Sequence, residues 1–233
     1  MALTPYTDRA VRYACSVCAD LQVSRLPVDP LDLGARAGIP MIPYSALLAN
    51  PGWFPMDLLG CMQMNPVLTL VYPNVCIVYR DDIADPDRLR FPLCHELAHL
   101  FMNHYRDYPD LMSPGRIPDS GLVAEADAFA RNLLAPVPVV DVIRYNRPAQ
   151  ARANVFGLPR NLWVSRLDAL AEDRACVDED MANTLIWLFH DWLLGRRCRQ
   201  CGRAFTDRLQ NGRCPFCDAP DPEWNLLPPR EEK

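Results

Sequence analysis

The sequence predicts an α+β fold, mainly helical with a small antiparallel sheet, followed by a separate zinc ribbon near the C-terminus. Three observations predict it. Residues 8–23 and 122–134 repeat apolar side chains at the three-to-four-residue spacing of an amphipathic helix. Residues 68–72 and 75–79 are short runs of strand-forming residues with Pro73-Asn74 between them, which suits a hairpin. Cys198-x2-Cys201 and Cys214-x2-Cys217 are two CxxC pairs separated by twelve residues, the spacing with which four thiolates enclose one tetrahedral zinc.

The elements follow in order. Pro27-Val28-Asp29-Pro30 breaks the first helix, and Asp29 is placed to cap a short second one through Ala37, which Gly38 ends. Residues 39–44 form a strand, and Asn50-Pro51-Gly52 a turn. Asp85-Pro86 opens a helix that runs through Phe101 or beyond. Residues 105–121, polar and rich in proline, glycine and aspartate, form an exposed loop. The next helix stops at Ala135-Pro136, and two or three more fill 139–194. Within that stretch Ala153, Gly157 and Trp163 have the spacing of a helix-turn-helix, with Arg160, Asn161 and Arg166 candidates for the exposed face of its second helix. A helical pair packed beside the core fits the same pattern. Leu185, Leu188, Phe189, Trp192 and Leu193 form an apolar stripe for the core, with His190 a bystander. The domain boundaries are therefore 1–195 for the main domain, with its helical, helix-turn-helix-like segment at about 140–195, then 196–220 for the ribbon and 221–233 for a flexible tail.

The chain has 233 residues, half of them hydrophobic (50%) and 23% charged, the balance of a packed globular domain rather than a disordered one. The net charge of -5 gives no support to a protein whose main work is gripping nucleic acid. Arginine is concentrated locally. Arg144, Arg147, Arg152, Arg160 and Arg166 lie in an acid-free stretch, and Arg196, Arg197, Arg199, Arg203, Arg208 and Arg213 surround the ribbon, so nucleic acid is a possible but not a favoured partner. No apolar run approaches the roughly 18 residues needed to span a membrane. No basic start followed by an apolar stretch opens the chain, so the cytoplasm is the expected location. In that compartment Cys15, Cys18, Cys61, Cys76, Cys94 and Cys176 read as small buried residues and not as a disulfide framework.

The chemistry is concentrated in His95-Glu96-Leu97-Ala98-His99. Histidines four apart share one helix face one turn apart, so both imidazoles can reach one zinc ion, and the adjacent Glu96 can address a water at that ion. Phe91, Leu93, Leu97, Leu100 and Phe101 surround the pair with apolar side chains. Burying two imidazoles and a carboxylate in such company is costly unless they are paired or hold a metal. The segment therefore predicts a catalytic zinc in addition to the structural zinc of the ribbon, with Glu96 as general base of a metallopeptidase. His104 does not fit the longer three-histidine version of the motif, because Met102 stands at its glycine position, and it reads as a helix-end or surface histidine.

The flanks carry a resemblance. Leu26-Pro27-Val28-Asp29-Pro30 with Gly38-Ile39, the lead-in Arg90-Phe91-Pro92 before the histidine helix, and Ala126-Asp127-Ala128-Phe129-Ala130 with Leu133-Leu134-Ala135-Pro136 together resemble the ImmA/IrrE family of metallopeptidases over residues 25–140. The resemblance implies a thermolysin-like zincin core, and as substrate a helix-turn-helix transcriptional repressor whose cleavage releases phage, mobile-element or stress genes. The family's third zinc ligand is a glutamate at the position that Val123 occupies here. Glu125, on the helix face of Phe129, is the nearest acid and the first candidate for that role. Asp127 is the alternative, although the resemblance gives it the part of supporting a histidine from behind. A site that has lost turnover, leaving a sensor or binding protein, is the competing reading, and a DNA-binding regulator using the arginine-rich half is a third.

Overall fold

A computed structural model of the chain describes residues 5–50, 65–70, 75–85, 87–110, 119–146, 149–193, 195–198, 200–206, 213–214, 216–220 and 223–224. Helix α1 (Pro5–Asp20) buries Ala10, Ala14, Val17 and Cys18, the stripe its periodicity predicts. Helix α2 (Pro30–Arg36) starts at Asp29, whose side chain accepts a hydrogen bond from the amide of Leu31 at 3.0 Å. Strand β1 (Met41–Pro43) leads directly into α3 (Tyr44–Ala49).

Strands β2 (Val67–Leu70) and β3 (Cys76–Tyr79) pair antiparallel, with Val67 opposite Tyr79 and Leu70 opposite Cys76. Strand β1 lies on the other side of β3 and runs parallel to it, Met41 opposite Ile77. The sheet is thus mixed, not antiparallel as expected, with order β1-β3-β2. Burial explains why β3 is central. Successive side chains of a strand point to opposite faces. Ile77 enters the main core, while Cys76 and Val78 pack with Leu47 of α3 on the other face. A strand covered on both faces needs partners for both rows of backbone groups.

Helix α4 (Asp87–Phe101) carries the histidine pair and buries Leu89, Leu93, Cys94, Leu97 and Ala98. Its chain turns at Asn103, which is left-handed at φ 58°, into the single turn α5 (His104–Asp107). Helix α6 (Ser120–Leu134) is capped by Asp119, which accepts from the amides of Gly121 and Leu122. It packs against both α1 and α4, and its buried alanines 126, 128 and 130 permit close approach.

Among the described residues five helices follow α6 rather than two or three: α7 (Val137–Asn146), α8 (Ala149–Phe156), α9 (Arg160–Ala175), α10 (Glu179–Leu188) and α11 (His190–Leu193). The turn between α8 and α9 passes through Gly157 at φ 60°, and the rings of Phe156 and Trp163 stack across it at 5.2 Å. Arg160 and Asn161 are exposed as expected, but Arg166 is not. It is 1% exposed and paired with Asp173, which lies two helical turns along the same face of α9. Leu185, Phe189 and Leu193 are buried, and Leu188 and Trp192 pack against the same core.

The C-terminal strands β4 (Gly195–Arg197) and β5 (Ala204–Thr206) pair antiparallel, and β6 (Glu223–Trp224) adds to the other edge of β4. Residues 223–224, expected in the tail, are therefore part of this second sheet. Cys18, Cys76, Cys94 and Cys176 are buried and Cys15 half-buried, and burial pushes the Cys18 and Cys94 thiols well up. Cys61, Pro51-Gly52, Pro73-Asn74, Arg147, Arg199, Arg208 and the chain after Trp224 lie outside the described residues, as does 111–118 of the expected loop. Among the described residues no helix is long and apolar enough to cross a membrane.

Candidate metal centres

Helix α4 brings His95 and His99 edge to edge, with their Nε2 atoms 3.1 Å apart. Two nitrogens on a tetrahedral zinc, each roughly 2.0–2.1 Å from it, stand about 3.3 Å from one another, so the spacing suits two ligands of one ion. The opposite ring nitrogens are held from behind. His95 Nδ1 lies 2.7 Å from Asp127 Oδ1 of α6, and His99 Nδ1 lies 2.8 Å from His104 Nδ1. His104 is therefore not a surface histidine. It is completely buried, because the left-handed turn at Asn103 folds the chain back under His99.

Glu125 is buried as its face predicted, at 1% exposure, but its partners lie away from the Nε2 pair. Its Oε2 is 3.2 Å from His104 Nε2, and its Oε1 is 3.4 Å from the guanidinium of Arg9, which also donates to the Met102 carbonyl. Asp127, the alternative third ligand, is turned to His95 Nδ1. Among the described residues no third histidine, cysteine or carboxylate ligand atom joins the two Nε2 atoms.

The proton inventory tests whether this set fits a metal. A carboxylate is acceptor-only, so a neutral His95 donates a hydrogen bond from Nδ1 to Asp127 and leaves Nε2 bare. If His99 donates from Nδ1 to His104, and His104 carries its proton on Nε2 toward Glu125, His99 Nε2 is bare as well. Two lone pairs then face each other at 3.1 Å, an arrangement that a cation between them relieves. In that tautomer the two imidazoles could both serve one divalent ion, with no third protein ligand beside them among the described residues. Burial, together with the neighbouring rings of His95 and His104, pushes His99 down to about 3, so it stays neutral, as a ligand must.

Glu96 lies on the same turn. Its Oε2 accepts from Thr69 Oγ1 of β2 at 2.5 Å and from the Tyr105 hydroxyl at 3.4 Å. Burial raises the Glu96 pKa, while Thr69, His95 and Tyr105 pull the other way. Burial and the nearby Glu96 carboxylate raise Tyr105 in turn. No local spacing or motif pointed to Arg9 or Tyr105. Thr69 had one signal, as a short polar side chain in an apolar strand run.

The second centre is the cysteine module. The Sγ atoms of Cys198, Cys201, Cys214 and Cys217 all lie within 4.8 Å of one another, with Cys198–Cys217 at 3.5 Å and Cys201–Cys214 at 3.7 Å. Thiolates about 2.3 Å from a tetrahedral zinc stand roughly 3.8 Å apart, so this group can hold a metal in a closed shell. Each pair sits on a tight turn. Gly202 N bonds Cys198 O at 2.8 Å, Asp218 N bonds Cys214 O at 2.9 Å, and Gly202 and Asp218 are both left-handed. Phe216 N points at Cys214 Sγ at 3.4 Å. Backbone donation from Cys201 draws the Cys198 thiol down to about 7, while the neighbouring cysteines push the Cys217 thiol up to about 12, so the four thiols share their protons unevenly.

Comparison of the chain with known proteins finds no matching family model, no matching curated protein and no matching solved structure.

Proposed function

We propose that the chain is a zinc-dependent endopeptidase whose catalytic ion is held by His95 and His99, and that its substrate is a helix-turn-helix transcriptional repressor. One observation carries the peptidase reading: two imidazoles whose Nε2 atoms converge at 3.1 Å, with the half-buried carboxylate of Glu96 on the same helical turn. The core around them would then be a zincin. The repressor as substrate, the release of phage, mobile-element or stress genes, and the cytoplasmic location rest on the sequence resemblance and the expectations drawn from the sequence.

A zinc ion held there would supply Lewis acidity and lower the pKa of a nearby water. The chain's own residues do the rest. His95 and His99 would hold the ion, and Asp127 fixes the ring of His95. Glu96 takes a proton from the attacking water and returns it to the leaving amine, a task suited to a carboxyl whose pKa burial has raised. Thr69 and Tyr105 keep that carboxylate in one orientation. The test is incubation with the repressor from the same gene neighbourhood, with zinc or manganese present. Discrete fragments from the wild type and none from Glu96→Gln are expected. No cleavage, or equal cleavage by Glu96→Gln, contradicts the reading.

A second reading has its own observation. Val123 stands where the resemblance places the third ligand, and Glu125 is engaged by His104 and Arg9. A sensor or binding protein that kept the scaffold and lost turnover would look like this. Metal analysis separates the two: two zinc ions per chain support the peptidase, and a single one held by the cysteines supports the sensor.

A further inference from the structure

The buried groups behind His99 form a chain that the reaction itself does not use. His99 Nδ1 faces His104 Nδ1 at 2.8 Å, His104 Nε2 faces Glu125 Oε2 at 3.2 Å, and Glu125 faces Arg9 at 3.4 Å. His104 and Glu125 are 0% and 1% exposed, so neither can exchange its partner for water. Two orphaned atoms define the chain's logic. His104 Nε2 and Glu125 Oε1 have no aligned hydrogen-bond partner, although the charged groups they need lie beside them. A buried polar atom left in that state is destabilising. A small rotation that points the His104 Nε2–H at Glu125 repairs the first of them, and with a neutral His104 it leaves one proton arrangement for the rest.

That arrangement is fixed by counting. Glu125 beside Arg9 is an acceptor, so a neutral His104 carries its proton on Nε2. Its Nδ1 is then an acceptor, so His99 must donate from Nδ1. The result is a bare Nε2 on His99, aimed at His95. The opposite tautomer places a lone pair of His104 against a carboxylate in a buried site, which is unfavourable.

The geometry points to His104, Glu125 and Arg9 as a positioning relay that selects the metal-binding tautomer of His99 from two residues away. This rests on the peptidase reading only in needing an ion at the His95–His99 pair. None of the three residues touches that ion. Asp127 does the same work for His95 in a single step, whereas His99 is served through an intervening histidine. It also gives Glu125 a buried function other than ligation.

The test uses the full chain with its cysteine site already filled with zinc. Two quantities are read: affinity for the second zinc by chelator competition, and the His99 tautomer by long-range proton–nitrogen correlation in the histidine-labelled protein. His104→Phe fills the space but accepts no proton. It should weaken the second zinc about 10- to 100-fold and let His99 hold its proton on Nε2 in the metal-free protein. His104→Gln offers an amide oxygen and should restore most of the affinity and the Nδ1–H tautomer. Glu125→Gln keeps the shape, removes the acidic anchor, and should give a loss in the same direction should His104→Phe fail to fold. Wild-type affinity and an unchanged tautomer in His104→Phe, or in Glu125→Gln, overturn the relay while leaving the metal site intact. Failure of the wild type to take a second ion overturns the peptidase reading and the relay together.

Discussion

Replacing Asp173 by alanine should be among the most damaging single changes in the helical part of the chain. The Asp173 carboxylate is 0% exposed and accepts from Arg131 Nε at 2.9 Å and Nη2 at 2.6 Å, from Asn132 Nδ2 at 2.8 Å and from Arg166 Nη1 at 2.7 Å. Arg131 is 21% exposed by side chain and can turn to water once released. Arg166, at 1%, cannot. Burial has already drawn its pKa down to about 10, with Asp173 holding it up, so at neutral pH it remains charged. The alanine variant therefore leaves a buried guanidinium without its counter-ion, held only by the Ala135 carbonyl and Asn132 Oδ1. Breaking a buried pair in this way costs about 3–5 kcal/mol. In a domain of this size each kcal/mol moves the melting temperature by about 2–4 °C, which predicts a fall of about 6–20 °C. Denaturant unfolding monitored by circular dichroism measures the loss, and the m-value should not change. Arg166→Met combined with Asp173→Leu should recover part of the stability, because the charge is then removed with its partner. A loss below about 1 kcal/mol for Asp173→Ala would refute the claim that this network is dry and needed, since only exposed ion pairs are worth so little.

Three further outcomes are expected. Gly157→Ala should destabilise the chain by more than the usual glycine-to-alanine change, because φ is 60° and the new Cβ would lie 2.8 Å from Arg90 Nε and 2.9 Å from Pro27 Cβ; thermal melting checks it, and an unchanged melting point contradicts it. Cys214→Ser should remove one zinc per chain and expose residues 195–224 to protease while the helical circular dichroism persists, which metal analysis and limited proteolysis measure together. His99 carries a pH signature: its folded pKa of about 3 lies below the ordinary 6.5, so the unfolded chain binds the proton first. Metal-free protein should accordingly lose stability as pH falls from about 6.5 toward 3, keep that contribution above 6.5, and show a shallower loss in His99→Gln.

The parts legible in the sequence are those that depend on local spacing. The helices that bear His95 and Asp127, the β2–β3 pairing and the double CxxC each follow from period or spacing within a few residues. The sheet's mixed character was not legible, because the choice of β1 as parallel neighbour depends on how both faces of β3 are covered. His104 was misread for a similar reason. A continuous helix would have carried it some 140° away from His99 at about 100° per residue. One left-handed residue, Asn103, ends α4 and returns the ring to its predecessor. Glu125 could be read as buried, through its shared face with Phe129, but its partners Arg9 and His104 come from elsewhere along the chain. Arg166 looked like an exposed reader of DNA in an acid-free run. Asp173, just beyond that run on the same helix face, was the available signal for its burial.

Anomalous diffraction at the zinc edge from crystals grown with excess zinc locates each ion directly. Two peaks per chain are predicted, one enclosed by Cys198, Cys201, Cys214 and Cys217 and one between His95 Nε2 and His99 Nε2. A single peak at the cysteines, with the two imidazoles fully ordered and bonded only to each other, contradicts the catalytic metal centre.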